Sequence, residues 1–302
     1  MEECKLKRKK LKNYWQIYLL ILPVLIYIMI FNYGPMYGII IAFKDYKTKL
    51  GYLGSEWVGL KHFIRFLSYP AFWKLLRNTL SISVYSLATF PCAVIVSLLI
   101  NEIRGVGFKK TVQLITYAPH FLSTVVMGGM IILMVGRQGP VGRLVALITG
   151  TSQDLLAVPE YFSSIYVWSG VWQSLGWNTI IFLAALAGVP AELAEAAKID
   201  GASRTQVIRH VNIPYIMPTI MITFIMRTGT ILSVGFEKIF LLQNDLNLDT
   251  SRVISTYTYE LGIVGGQFSY STAIGLFNNV VNILMILTVN RISKKLSGIG
   301  IW

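Results

Sequence analysis

Residues Pro190–Pro218 read PAELAEAAKIDGASRTQVIRHVNIPYIMP. They form a polar island between two apolar runs, each close to the ~20 residues that cross hydrocarbon as a helix. The island has its own helical grammar. Pro190 suits a first helical position, where its missing N–H costs little. Ala191 to Ile199 are mostly good helix formers, with Glu192 and Glu195 near the positive N-terminal end. Gly201 can take the left-handed conformation that ends a helix. Ser203 starts a second helix, and Gln206 three residues on completes a capping box. Pro214 and Pro218 mark the return to apolar sequence. The prediction is a helix–turn–helix at a membrane surface. Its small residues (Ala194, Ala196, Ala197, Ala202) let another surface come close.

Working outward, the two flanking runs and four more make six in all. Tyr14 to about Phe43 is the first span, with Pro23 and Gly34-Pro35 expected to bend it. Lys74 to about Ile100 is the second, with Pro91 inside. Thr111–Val135 is the third, with Pro119 near its middle. Ile165–Val189 precedes the island and Tyr215–Val234 follows it. Ala273–Val289 is the sixth and shortest. Loops are expected over residues 44–73, 101–110, 137–164 and 235–271. The basic start followed by an apolar run also fits a secretory signal. The run exceeds a signal core and no A-x-A pattern follows, so an uncleaved span is expected.

The composition agrees. Of 302 residues, 54% are hydrophobic and only 14% charged, too apolar for a soluble domain of this size. The net charge of +13 could serve nucleic acid, but in a membrane protein basic residues more often set orientation. Lys and Arg number fifteen on one side of a six-span topology and eleven on the other. The bias is strongest in residues 1–13, which carry six, so both termini and the island are expected in the cytoplasm. Cys4 and Cys92 lie far apart in sequence, and no disulfide or metal site is expected. His62, His120 and His210 lack metal-ligand spacing. No G-x-x-x-x-G-K window occurs, so the chain has no nucleotide loop of its own. No paired carboxylates or nucleophile set suggests an enzyme.

The island resembles a known motif. Glu195-Ala196-Ala197, three residues, Gly201, nine residues, then Val211-Asn212-Ile213-Pro214 is similar to the EAA motif of bacterial ABC-importer permeases. Val211 and Ile213 depart mildly from the family pattern of Ile and Leu. Ala42-Phe43-Lys44-Asp45-Tyr46 resembles the sugar-transporting branch, and within it the LplB-like group for complex oligosaccharides. The resemblance implies an all-α polytopic membrane protein of the MetI-like type I importer fold, with six transmembrane helices. It divides the chain into a basic tail (1–13), a permease domain (14–292, coupling loop 190–214) and a C-terminal tail (293–302). The EAA helix would dock on a cytoplasmic ATPase through Glu195, Ala196, Ala197, Asp200, Gly201 and Pro214. Implied partners are a second permease subunit, two ATPase subunits that bind ATP and Mg, and an extracellular solute-binding protein. The permease itself needs no cofactor. The implied location is the bacterial cell membrane, and the cargo a sugar. Phosphate, polyamine or peptide cargo, and a stand-alone channel, are the alternatives.

Polar residues within spans mark candidate substrate contacts. Gly170, Gln173, Ser174 and Trp177 follow i, i+3, i+4, i+7 spacing and share a helical face. They offer an amide, a hydroxyl and an indole to a sugar, with Trp172 and Asn178 beside them. Trp168, Trp172 and Trp177 alternatively form an interfacial belt. Arg227, expected about 18 Å into the fifth span from Tyr215, shares a face with Thr230 and Val234. It could receive an acidic sugar, pair with the second permease, or snorkel outward. Asn278 and Asn282, on one face with Gly275, suit helix–helix hydrogen bonds in the bundle.

Overall fold

The structure, a computed structural model, describes residues 14–301, with the side chain of Leu296 excepted. The basic tail expected over residues 1–13 lies outside the described residues. Among these residues the chain is mostly helical, the helices being joined by turns and loops, with one short antiparallel pair, β1 (Lys44–Asp45) and β2 (Glu56–Trp57).

The chain forms two compact units. One comprises the chain up to Leu67 together with Leu261–Leu276. It opens with α1 (Trp15–Ile28), which continues through a π turn at Met29–Tyr33 and a 3-10 stretch at Tyr37–Phe43. The π turn lies immediately before Gly34-Pro35. Proline lacks an N–H and crowds the carbonyl four residues back, and widening the preceding turn accommodates both defects. Its side chains are exposed up to Tyr37 except for the half-buried Ile28, then half-buried from Gly38 to Phe43, with Ala42 fully buried. The Ala42–Tyr46 segment then forms the β1 edge: Phe43 stacks on Trp57 at 5.7 Å, and the Tyr46 N–H donates to Ser269 at 2.8 Å. In α2 (Lys61–Leu67), the Arg65 guanidinium lies 4.1 Å over the Tyr270 ring.

The second unit comprises Ser68–Glu260 and the chain from Phe277 onward. It contains α3 (Phe72–Ala88), α4 (Phe90–Asn101), α5 (Val106–Tyr117), α6 (Thr124–Val135), α7 (Pro140–Thr149), the long α8 (Pro159–Ala187), α9 (Ala191–Ile199), α10 (Arg204–Val207), α11 (Ile213–Thr228), α12 (Phe236–Leu242) and α13 (Ile254–Tyr259). It also takes in most of α14 (Phe268–Ser297), which runs past residue 293. Beyond it the chain folds back: Ile301 donates to Asn290 at 2.8 Å and Ser293 to the Ile299 carbonyl at 2.7 Å.

Five stretches of the described residues are long and apolar enough to cross a membrane: Trp15–Phe43, Phe72–Asn101, Thr124–Thr149, Pro159–Ala187 and Phe268–Lys295. Two expected spans differ in detail. The third is broken: Pro119 sits in a 3-10 turn (Ala118–Phe121), and Ser123 caps a new helix by accepting from Val126. The region expected as loop from residue 137 contains α7. The span expected over Tyr215–Val234 is helical only to Thr228. Thr228 and Thr230 bond back to the Ile225 and Arg227 carbonyls, and Gly229 lies between them, so the helix closes off although the apolar sequence continues.

The core follows α8. Ile82, Ile131, Phe162, Val234, Ile239 and Leu242 form one buried cluster, and Phe90, Val94, Phe182, Leu186 and Ile216 another. Gly176 sets how closely α8 and α5 approach. A Cβ there would collide with the Thr116 carbonyl and lie 2.7 Å from the Tyr117 ring. Gly176→Val is therefore expected to destabilise the fold by about 1–3 kcal/mol. Gly275→Ala, where the added carbon meets nothing within 4 Å, should be neutral or mildly stabilising. Thermal unfolding of the two variants in detergent checks the contrast.

Candidate functional site

The island folds as a capped helix–turn–helix. α9 begins after Pro190, which takes the N-cap place, one residue before the first helical position expected for it. It ends in a Schellman motif: Gly201 has φ +85°, its N–H donates to Lys198, and Ala202 donates to Ala197 at 2.9 Å. Gln206 accepts from the Ser203 N–H at 2.7 Å and from its hydroxyl at 2.8 Å, so the predicted Ser203–Gln206 pairing forms. A π turn (Ile208–Asn212) then leads into α11 just before Pro214, the same device as before Pro35. Not one residue of α9 is buried; Glu195, Ala196 and Asp200 are exposed, Ala197 partly so, and Ile199 is 86% exposed. α9 is thus closed by a glycine turn and presents Leu193 and Ile199 uncovered beside its small and acidic residues.

The second candidate group lies along α8. Gly170, Gln173 and Ser174 line one polar cavity of about 150 Å³ with Arg227 of α11. Ser174 donates to the Gly170 carbonyl at 2.7 Å, leaving its oxygen free to accept. Gln173 reaches the Leu122 carbonyl at 3.5 Å. That carbonyl lies in the break between α5 and α6. Trp177 faces a neighbouring cavity of about 460 Å³, lined also by Asn178, Thr223 and Arg227. Its ring stacks on His120 with centroids 4.3 Å apart and planes 9° from parallel. Thr230 lines a third space of about 120 Å³ with Ser86, Ser233 and again Arg227.

Arg227 is thus the residue common to all three spaces. It sits in the last turn of α11, where unpaired carbonyls favour a cation, and is not mid-helix as expected. Thr230 and Val234 lie beyond the helix end, so the three do not share a helical face. Two long contacts, 3.5 and 3.4 Å, join the guanidinium to the Ser86 carbonyl and hydroxyl. The two ion pairs among the described residues, Lys74–Asp249 and Arg252–Glu260, do not involve it. Asn282 has the bundle role expected of it. It accepts from the Leu232 N–H at 3.1 Å and donates to Ser233 at 2.9 Å, holding the irregular segment after α11 in place.

Sequence reasoning missed Ser86, Thr89, Tyr166, His120 and Lys238. Lys238 lies in a region read as loop, but α12 carries it into the second unit's core beside Tyr166. The available signal was a lone charged pair, Glu237-Lys238, inside the apolar run Phe236–Leu242. Trp168, whose indole donates to Tyr85 at 2.8 Å and is 53% exposed, stays outside these cavities, consistent with the interfacial alternative.

Broken membrane helices around a polar cavity, with a capped surface helix between two of them, define a class: a polytopic helical component of a membrane transport system. Residues 69–298 match the family described as binding-protein-dependent transport system inner membrane component, and the chain belongs to that family. It is a membrane transport subunit and not an enzyme. It is 42% identical over 288 residues to the polygalacturonan/rhamnogalacturonan transport system permease protein YteP of Bacillus subtilis, covering 95% of this chain and 90% of that one. It is also 42% identical to protein LplB of the same organism, over 98% of this chain and 92% of the relative. A solved bacterial alginate ABC transporter, in complex with alginate pentasaccharide-bound periplasmic protein, superposes with TM-score 0.87 at 36% identity, covering 97% of this chain and 99% of that chain.

Arg227 makes only long contacts, so the fold depends little on it. Arg227→Met is expected to lower transport at least about tenfold, equivalent to ~1.4 kcal/mol. The melting temperature should be unchanged or raised, as when a poorly paired buried charge is replaced by an apolar side chain. Uptake by the assembled transporter and melting in detergent provide the two readings.

Proposed function

We propose that this chain is one permease subunit of an ATP-driven type I importer for oligosaccharides. It lines half of the pathway together with a second, different permease. Two ATPase subunits, which hold ATP and Mg, bind its coupling loop from the cytoplasm, where both termini also lie. An extracellular solute-binding protein delivers the cargo.

The observation that carries this reading is α9. A helix closed by a glycine turn, followed two residues later by the cap that starts α10, and buried nowhere can transmit force without deforming. Ala196 and Ala197 allow close approach, and Glu195 and Asp200 offer carboxylates to basic or N–H groups of the partner. Closure of the ATPases around ATP would draw the coupling helices together and rock the membrane halves from inward-open to outward-open. The saccharide reading is supported by the relatives' cargo and by the chemistry of the cavities. Gln173, Ser174 and Asn178 can exchange hydrogen bonds with sugar hydroxyls, and the Trp177 face can stack on an apolar sugar face.

Gly201→Asp places a side chain at φ +85°, a left-handed conformation that costs a non-glycine residue about 1–2 kcal/mol. Glu195→Lys inverts a charge on the docking face. Each is expected to abolish uptake and binding-protein-stimulated ATP hydrolysis while the protein remains in the membrane. Transport surviving both changes would refute docking through this helix.

A further inference from the structure

Lys238 is only 8% exposed, and its ammonium has no hydrogen-bond partner. Burying a charge with nothing to replace water is unfavourable, so such groups are normally paired. Among the described residues the compensation is one aromatic face: the ammonium lies 5.3 Å from the Tyr166 ring centroid. The side chain is aimed across Gly170, whose added Cβ would stand 3.5 Å from Nζ. With glycine there, nothing separates the ammonium from the 150 Å³ cavity that Gln173, Ser174 and Arg227 also line. Among the described residues no carboxylate lines that space. Two cations and several neutral hydrogen-bonding groups therefore face one small cavity without a counter-charge.

We infer that Lys238 and Arg227 form a carboxylate site, and that the cargo is a saccharide bearing carboxylate groups, such as a uronate oligosaccharide. This rests on the oligosaccharide reading above. A carboxylate in the cavity restores the hydrogen bonds Lys238 lacks and gives Arg227 a planar acceptor matched to its fork. Gln173 and Ser174 are left to the hydroxyls of the same sugar ring. Within the second unit α12 contributes the lysine, α11 the arginine and α8 the neutral groups, so any motion that separates these helices also dismantles the site and releases the cargo.

The test is uptake of radiolabelled trigalacturonate, and of neutral oligosaccharides, by cells carrying the complete importer. Wild type is expected to take up trigalacturonate. Lys238→Met should lower that uptake at least about tenfold, the scale for losing one partner of a buried charge pair. Lys238→Arg, which keeps the charge, should retain most of it. Gly170→Asp should also lower it, because the new carboxylate would occupy Lys238 from within. If Lys238→Met fails to reach the membrane, the Lys238→Arg and Gly170→Asp arms decide. Wild-type uptake by Lys238→Met, unimpaired uptake by Gly170→Asp, or failure of Lys238→Arg would overturn the site. If the wild type imports neutral oligosaccharides and no uronate, this inference falls and the oligosaccharide reading stands. If it imports no saccharide, both fall.

Discussion

Backbone satisfaction is the constraint on which this structure depends. In hydrocarbon an unpaired N–H or C=O has no water to turn to, so irregular backbone survives only where protein or a wet cavity covers it. The second unit has such interruptions at Pro119–Ser123 and after Thr228. Both are covered on one side by α8 or by a side chain placed for the purpose. Gln173 of α8 reaches the Leu122 carbonyl, and Asn282 of α14 takes up the Leu232 N–H. Each satisfied break leaves polar groups at an internal surface, and the cavities lie there. The polar cavities and the helix breaks are one feature seen from two sides.

The same logic explains the cations. Arg227 occupies the last turn of a helix that stops short, where its charge meets the negative end of the helix and the Ser86 oxygens. Lys238 owes its position to the same interruption, because the chain turns after Thr228 and returns as α12 against Tyr166. Ending the helix early thus places two positive charges beside the neutral face of α8.

Local grammar was legible in the sequence where chemistry is local. The glycine end of α9, the Ser203–Gln206 cap and the role of Asn282 depend on a few neighbouring residues, and each was readable from residue type and spacing. The face Gly170, Gln173, Ser174 was equally readable, since helical period alone groups it. The ends of the broken helices were not. Apolar composition runs on through Ile231-Leu232 and through Leu122, and composition reports solvent, not backbone conformation. Tertiary partners decide those breaks, and Asn282 is fifty residues away from the N–H that it satisfies. Lys238 was hidden for the related reason that a seven-residue helix folded back into the unit looks, in sequence, like loop.

The joint and the cavity are connected by geometry. α8 carries Gly170–Trp177 and runs to Ala187, and Gly188–Pro190 is the whole linker to α9. On the other side a π turn joins α10 to α11, which carries Arg227 in its last turn. The two membrane helices are tied at their base, where the Tyr215 hydroxyl donates to the Gly188 carbonyl at 2.7 Å. From Gly170 to Ala187 is seventeen residues, about 25 Å of helix at 1.5 Å per residue. A helix cannot shorten by flexing side chains, so a displacement imposed on α9 has to move the cavity walls or break that tie. Coupling over this distance then needs no relay of side chains. It needs two stiff rods, a short linker and a cavity wall at the far end of each.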